Sequence, residues 1–147
     1  MPRRRQARET ALQALYQRDL NPSADRDMLT EFLDQQLGPG PLLVFATELV
    51  DGVTSMQDDL DARIARAAEN WTIDRMAATD RNIIRMAAYE LLHADVPYRV
   101  ALDEAIELAK HFGDANSPAF VNGVLDALIP EEQREQTGVA DAQKPAE

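Results

Sequence analysis

The sequence predicts an all-α protein, a compact bundle of about six or seven helices. Three observations carry that prediction. Apolar residues recur at the three- and four-residue spacing of a helix face along most of the chain, and the alternation of a half-buried strand is almost absent. Proline, glycine and asparagine cluster between the periodic segments, where they punctuate helices.

The elements follow in order. The first segment places Leu12, Leu15, Tyr16 and Leu20 on one face and ends near Asn21-Pro22. A short second one carries Met28, Leu29, Phe32, Leu33 and Leu37 and is stopped by Gly38-Pro39-Gly40-Pro41. In the third, Leu42, Ala46, Leu49, Val53, Met56, Leu60, Ile64 and Ala67 form one long seam. That seam suits a monomer core or a partner helix equally well, so the oligomeric state stays open, a homodimer included. Trp71 and Ile73 interrupt it. Thr79 is placed to cap the next helix, with Asp80 in its first turn and Ile83, Ile84, Ala87, Leu91 and Leu92 on its buried face.

Pro97 ends that region, and Leu102, Ala105, Ile106, Ala109 and Phe112 line the following helix up to Gly113. Ser117-Pro118 restarts the chain with a capping serine and a proline at the first helical position, where its missing N–H costs nothing. Val121, Val124, Leu125 and Leu128 form the last stripe before Pro130. Residues 131–147 are polar and acidic and read as a disordered tail, which leaves 1–130 as a single domain.

Composition excludes several classes. The 147 residues include no cysteine, so there is no thiol nucleophile, disulfide or thiolate metal site. No apolar run approaches the length of a membrane span, and a cytoplasmic location follows by default. The formal net charge of -11 disfavours indiscriminate coating of nucleic acid, yet permits a local basic site and favours a basic protein partner. Catalysis has little support. His93 and His111 fall near predicted helix ends, where a cation suits the dipole. Asp103 and Glu107 share a face with Lys110 and read as a solvated charged surface more readily than as paired catalytic carboxylates or a metal site. We expect no enzyme activity, cofactor or metal.

The functional signal is at the N-terminus. Arg3, Arg4, Arg5 and Arg8 precede the first acidic residue, Glu9, and lead directly into the first amphipathic segment. Arginine's permanently charged planar fork suits phosphate, and single-stranded RNA also needs flat surfaces for splayed bases. Tyr16 and Phe120 qualify as such surfaces, although each aromatic taken alone is more often core than ligand. Gly123, inside the last helix, suggests a close approach by a backbone or ligand, or tight helix packing.

These residues resemble the NusB transcription antitermination factors. The resemblance is carried by Arg3-Arg4-Arg5-Gln6-Ala7-Arg8-Glu9 leading to Ala14-Leu15-Tyr16, by Asp80-Arg81-Asn82-Ile83-Ile84-Arg85 with Tyr89-Glu90-Leu91, and by Asp95-Val96-Pro97. It continues through Asp103-Glu104-Ala105-Ile106-Glu107-Leu108-Ala109-Lys110 and Phe120-Val121-Asn122-Gly123-Val124-Leu125-Asp126. Asp103 departs from the pattern, which more often has asparagine there. The resemblance implies two packed helical subdomains and no enzymatic activity. It further implies binding of the boxA element of ribosomal RNA transcripts together with NusE, a small-subunit ribosomal protein, and loading of antitermination factors onto RNA polymerase.

Carried over to this chain, Arg4, Arg5 and Arg8 match the basic RNA-binding arm, and Tyr16 and Phe120 match aromatic positions near the RNA. Asn116 and Ser117 match the loop before the last helix, and Asp80 matches an acidic position in the region that meets NusE. The acidic body would then attract a basic ribosomal protein while the arm attracts RNA. Two alternatives remain from the sequence. One is the similar helical module of ribosomal RNA cytosine methyltransferases, and the other is a dimerisation module without RNA.

Overall fold

Seven α-helices and one short 3₁₀ turn (Ile73–Arg75) account for the fold, with no strand among the described residues. The helices are α1 (Arg3–Leu20), α2 (Arg26–Leu37), α3 (Pro41–Ser55), α4 (Gln57–Ala67), α5 (Ala78–His93), α6 (Tyr98–Phe112) and α7 (Ser117–Leu128). The computed structural model describes residues 3–69 and 71–129, so the expected tail at 131–147 lies outside the described residues. The chain divides into two compact units, Met1–Gln57 and Asp58–Glu147.

In the first unit α1, α2 and α3 each pack on the other two. Alanines make the close approach of α1 possible, since Ala7, Ala11 and Ala14 are buried beside Leu12 and Leu15. Tyr16 and Leu20, expected on that face, are exposed at 39% and 60%. The seam runs instead through positions 7, 11 and 15 with their neighbours 8 and 12, and Tyr16 sits one position beyond its edge. At the start of α2 the Asp25 carboxylate accepts from the Met28 N–H at 2.9 Å, and Gly38 ends the helix with φ +71°, which a side chain rarely adopts.

The long third segment is two helices, not one. It breaks at Met56, whose φ and ψ are -110° and 15°. No proline is involved. The Thr54 hydroxyl donates to the Asp51 carbonyl at 3.1 Å and the Ser55 hydroxyl to the Gly52 carbonyl at 3.3 Å, so side chains compete for the carbonyls of the last turn. Asp58 and Asp59 then favour a fresh helix start through the dipole. The seam residues Ala46, Leu49, Val53, Leu60 and Ile64 are buried within the single chain.

In the second unit α5 is the central helix, and α6 and α7 pack on it and on each other. Ile83, Ile84, Met86, Ala87, Ala88 and Leu91 are buried, giving α5 an apolar surface well beyond one stripe. Buried Arg85 joins α5 to α4 through a bidentate pair, its Nε donating to Asp61 Oδ1 at 2.8 Å and its Nη2 to Asp61 Oδ2 at 2.9 Å.

Thr79 does not cap α5; Ala77 holds that position without a side-chain bond. The turn before it is secured by Arg81, whose Nη1 donates to the carbonyls of Ile73 and Met76 at 3.1 and 3.0 Å. In α6 the buried residues are Tyr98, Ala101, Ala105, Leu108 and Ala109, so Phe112 falls outside the core and is 38% exposed. The Tyr98 hydroxyl donates to Asp126 Oδ1 at 3.0 Å and ties α6 to α7.

Candidate nucleic-acid interface

The arginine arm is the first two turns of α1. Its first turn holds no acidic residue, so Arg3, Arg4 and Arg5 stand at the positive end of the helix dipole, against the usual preference for anions there. Arg4 is exposed and Arg5 half-buried, while Arg8, one turn on, is buried at 5% exposure. The guanidinium carbons of Arg4 and Arg8 lie 4.7 and 5.1 Å from the centroid of one ring, Phe45 of α3. Arg8 therefore differs from the expectation of an open cationic arm, because its side chain is enclosed while Arg4 is exposed and Arg5 half-buried. Tyr16, on the same helix, presents its ring to solvent.

The second unit holds a cleft of about 360 Å³ lined by Trp71, Arg75, Met76, Ala77, Asp80, Asp114, Asn116 and Phe120. Three of the residues singled out in the sequence, Asp80, Asn116 and Phe120, thus meet in one place. Phe120 lies at the margin of the α7 stripe and stands edge-on to Trp71, with ring centroids 5.7 Å apart and planes at 68°. The two rings make a corner against which a flat group can stack on one face and abut the other. Trp71 reads in sequence only as an interruption, and no local pattern pairs it with Phe120.

The loop before α7 explains the polar side of the cleft. Asn116 caps α7 without a side-chain bond and is exposed at the rim. Ser117, expected as the cap, lies inside the helix and is 2% exposed. Its oxygen accepts from the Asp114 N–H at 3.0 Å and lies 3.3 Å from Asp114 Oδ1. Its hydroxyl also faces the Asp80 carboxyl and favours the ionised form. This enclosure makes Ser117 a brace for the loop, unavailable to a ligand by its side chain. Gly113 is demanded by the same brace, because a Cβ there would collide with the Ser117 side chain.

A hydroxyl has one proton to give, so Ser117 cannot satisfy two carboxylates at once. Asp80, 9% exposed, is left with Oδ1 buried and without a hydrogen-bond partner. Burial pushes its carboxyl above the usual carboxylate range, the Ser117 hydroxyl opposes that, and the negative charge of Asp114 adds to it. The cleft therefore offers an aromatic corner and a buried acceptor short of a donor. A second hollow of about 350 Å³ lies along Trp71, Phe120 and Gly123, and nothing approaches within 4 Å of a Cβ placed on Gly123. Tight packing is thus not the reason for that glycine. Among the described residues no cluster of metal-binding side chains occurs, and no helix is long and apolar enough to cross a membrane.

The sequence and the fold both have matches among known proteins. A sequence model of the NusB family matches residues 5–130. The transcription antitermination protein NusB of Bacillus subtilis (strain 168) is 47% identical over 127 residues, covering 86% of this chain and 94% of the relative. That of Trichlorobacter lovleyi is 46% identical over 126 residues, covering 85% and 89%. Among solved structures, T. maritima NusB matches with a TM-score of 0.81 and 35% identity over 92% of this chain and 98% of its own. A crystal structure of the antitermination factors NusB and NusE in complex with double-stranded RNA contains a chain similar at a TM-score of 0.78 and 27% identity, over 87% and 96%.

Proposed function

Because the chain belongs to the NusB family, whose members are non-enzymatic antitermination factors, we propose that it is an RNA-binding adaptor of transcription antitermination. It binds the boxA element of ribosomal RNA transcripts together with NusE. The pair helps assemble the antitermination complex on RNA polymerase, in the cytoplasm. The observation that carries this reading is the start of α1, where arginines gather without an acidic neighbour in the first turn on a chain of net charge -11. Local electrostatics oppose that arrangement, and a phosphate group relieves it.

Arg4 and Arg5 supply the phosphate contacts, with Arg8 beneath them as support. Phe120, backed by the edge of Trp71, seats a base, and Asn116 borders that seat. The unpartnered Asp80 oxygen accepts from a base amino or imino group. Its burial suits it to this role better than to a flat contact with NusE. The acidic remainder of the surface supplies the attraction for that basic protein. Tyr16 gives a second flat surface on α1. A gel-shift titration with boxA RNA, with and without NusE, tests the reading. The Arg4→Ala/Arg5→Ala variant should lose about tenfold in RNA affinity, two charge-assisted contacts at modest net value. Helical content and NusE binding should be unchanged. Unaltered RNA affinity contradicts the role of the arm.

A further inference from the structure

We infer that Phe45 is a positioning residue for the RNA-binding arm, its ring holding the enclosed guanidinium of Arg8 and the exposed one of Arg4 in the arrangement that lets Arg4 meet phosphate. The inference rests on the RNA-binding reading of the arm.

Arg4 and Arg8 are four residues apart on one face of α1, the spacing at which like charges repel. The helix dipole adds to the penalty at this end, and the first turn carries no carboxylate to offset it. Left to themselves, such side chains would splay into solvent and sample many rotamers. In the structure both converge on one half-buried ring, at 4.7 and 5.1 Å from its centroid, inside the range in which the negative face of an arene attracts a cation. Phe45 lies on α3, and α3 packs along α1, so the ring is fixed by the fold of this unit. Arg8 is enclosed while Arg4 keeps its outward side exposed.

The chemistry follows from that asymmetry. A guanidinium stacked on a ring keeps its N–H edge directed outward in its plane, which is the edge a phosphate oxygen needs. Stacking also removes much of the rotamer freedom that a free arginine would lose on binding. Phe45 thus acts on RNA through the arginines, without touching RNA itself. Aliphatic bulk at position 45 would preserve the packing of α3 but not this effect.

The test replaces Phe45 by pentafluorophenylalanine, which keeps the ring's shape and apolar surface but reverses its electrostatic face. RNA affinity of this protein should fall roughly five- to tenfold with an unchanged melting temperature. Phe45→Tyr, which retains the electron-rich face, should bind as wild type, and Phe45→Leu should follow the fluorinated ring. In an Arg4→Ala background the effect of altering position 45 should shrink to less than about half its size, because the two residues act as a unit. Equal losses in both backgrounds, or wild-type affinity with the fluorinated ring, overturn the positioning role while leaving the RNA-binding reading intact. If wild type and Arg4→Ala bind RNA equally, the arm reading fails as well.

Discussion

The two units of this protein treat charge in opposite ways. Each contains a bidentate arginine–aspartate pair of nearly the same geometry. In the first, Arg26 meets Asp51 at 3.0 and 2.9 Å on the surface, their side chains 65% and 40% exposed. In the second, Arg85 meets Asp61 at 2.8 and 2.9 Å, with exposures of 4% and 23%. The same contrast marks the two candidate sites. The arm keeps its accessible cations on the outside of α1 and braces one buried arginine on an aromatic ring, whereas the cleft encloses a carboxylate with one oxygen that lacks a donor. The first suits attraction of a backbone, which every nucleotide shares, and the second suits discrimination among groups that fit a shaped hollow.

The sharpest way to break the comparison is to cut both ion pairs. Asp61→Ala should destabilise the protein by about 3 kcal/mol, since it takes the carboxylate from a buried guanidinium. Asp51→Ala should leave the melting temperature nearly unchanged, because water screens an exposed pair. Equal effects in thermal denaturation would show that burial does not separate the units. Phe120→Ala comes next, with an expected loss of roughly 1 to 3 kcal/mol in RNA binding by filter assay if its ring stacks on a base. A drop in stability with normal RNA affinity would return Phe120 to the core.

Asp80→Asn is smaller and depends on pH. The folded protein holds the Asp80 proton more tightly than the unfolded chain does, so ionising this group favours unfolding. The wild type therefore loses stability as pH rises from the ordinary carboxylate range, about pH 4, through the raised folded value. Removing the charge should stabilise the protein by about 1 kcal/mol at neutral pH, an advantage that fades in acid. A variant less stable at neutral pH than in acid, relative to wild type, would contradict the assignment.

Much of the molecule is legible in the sequence where the determinants are local. Helix periodicity locates the elements, Gly38 and Gly113 mark ends, and the clustered N-terminal arginines mark the arm. The break at Met56 escapes such a reading because hydroxyls, not proline, cause it. Side-chain competition at Thr54 and Ser55 is a weaker signal than an apolar seam that continues in register. The burial of Arg8 and the exposure of Tyr16 depend on where α3 lies, which no α1 pattern encodes. Phe45 stands one position off the predicted seam, where nothing local singles it out. The corner formed by Trp71 and Phe120, and the shortage of donors at Asp80, arise from groups far apart in sequence.

The salt dependence of RNA affinity tests the central claim most directly, because it counts the cations that the arm delivers to phosphate. With Arg8 enclosed, neutralisation of two or three phosphates should give a slope of about -2 in log affinity against log salt. The Arg4→Ala/Arg5→Ala variant should be shallower by about 1.4, at roughly 0.7 for each single-strand phosphate that is no longer neutralised. A slope equal in the two proteins would contradict the arm as the seat of phosphate binding.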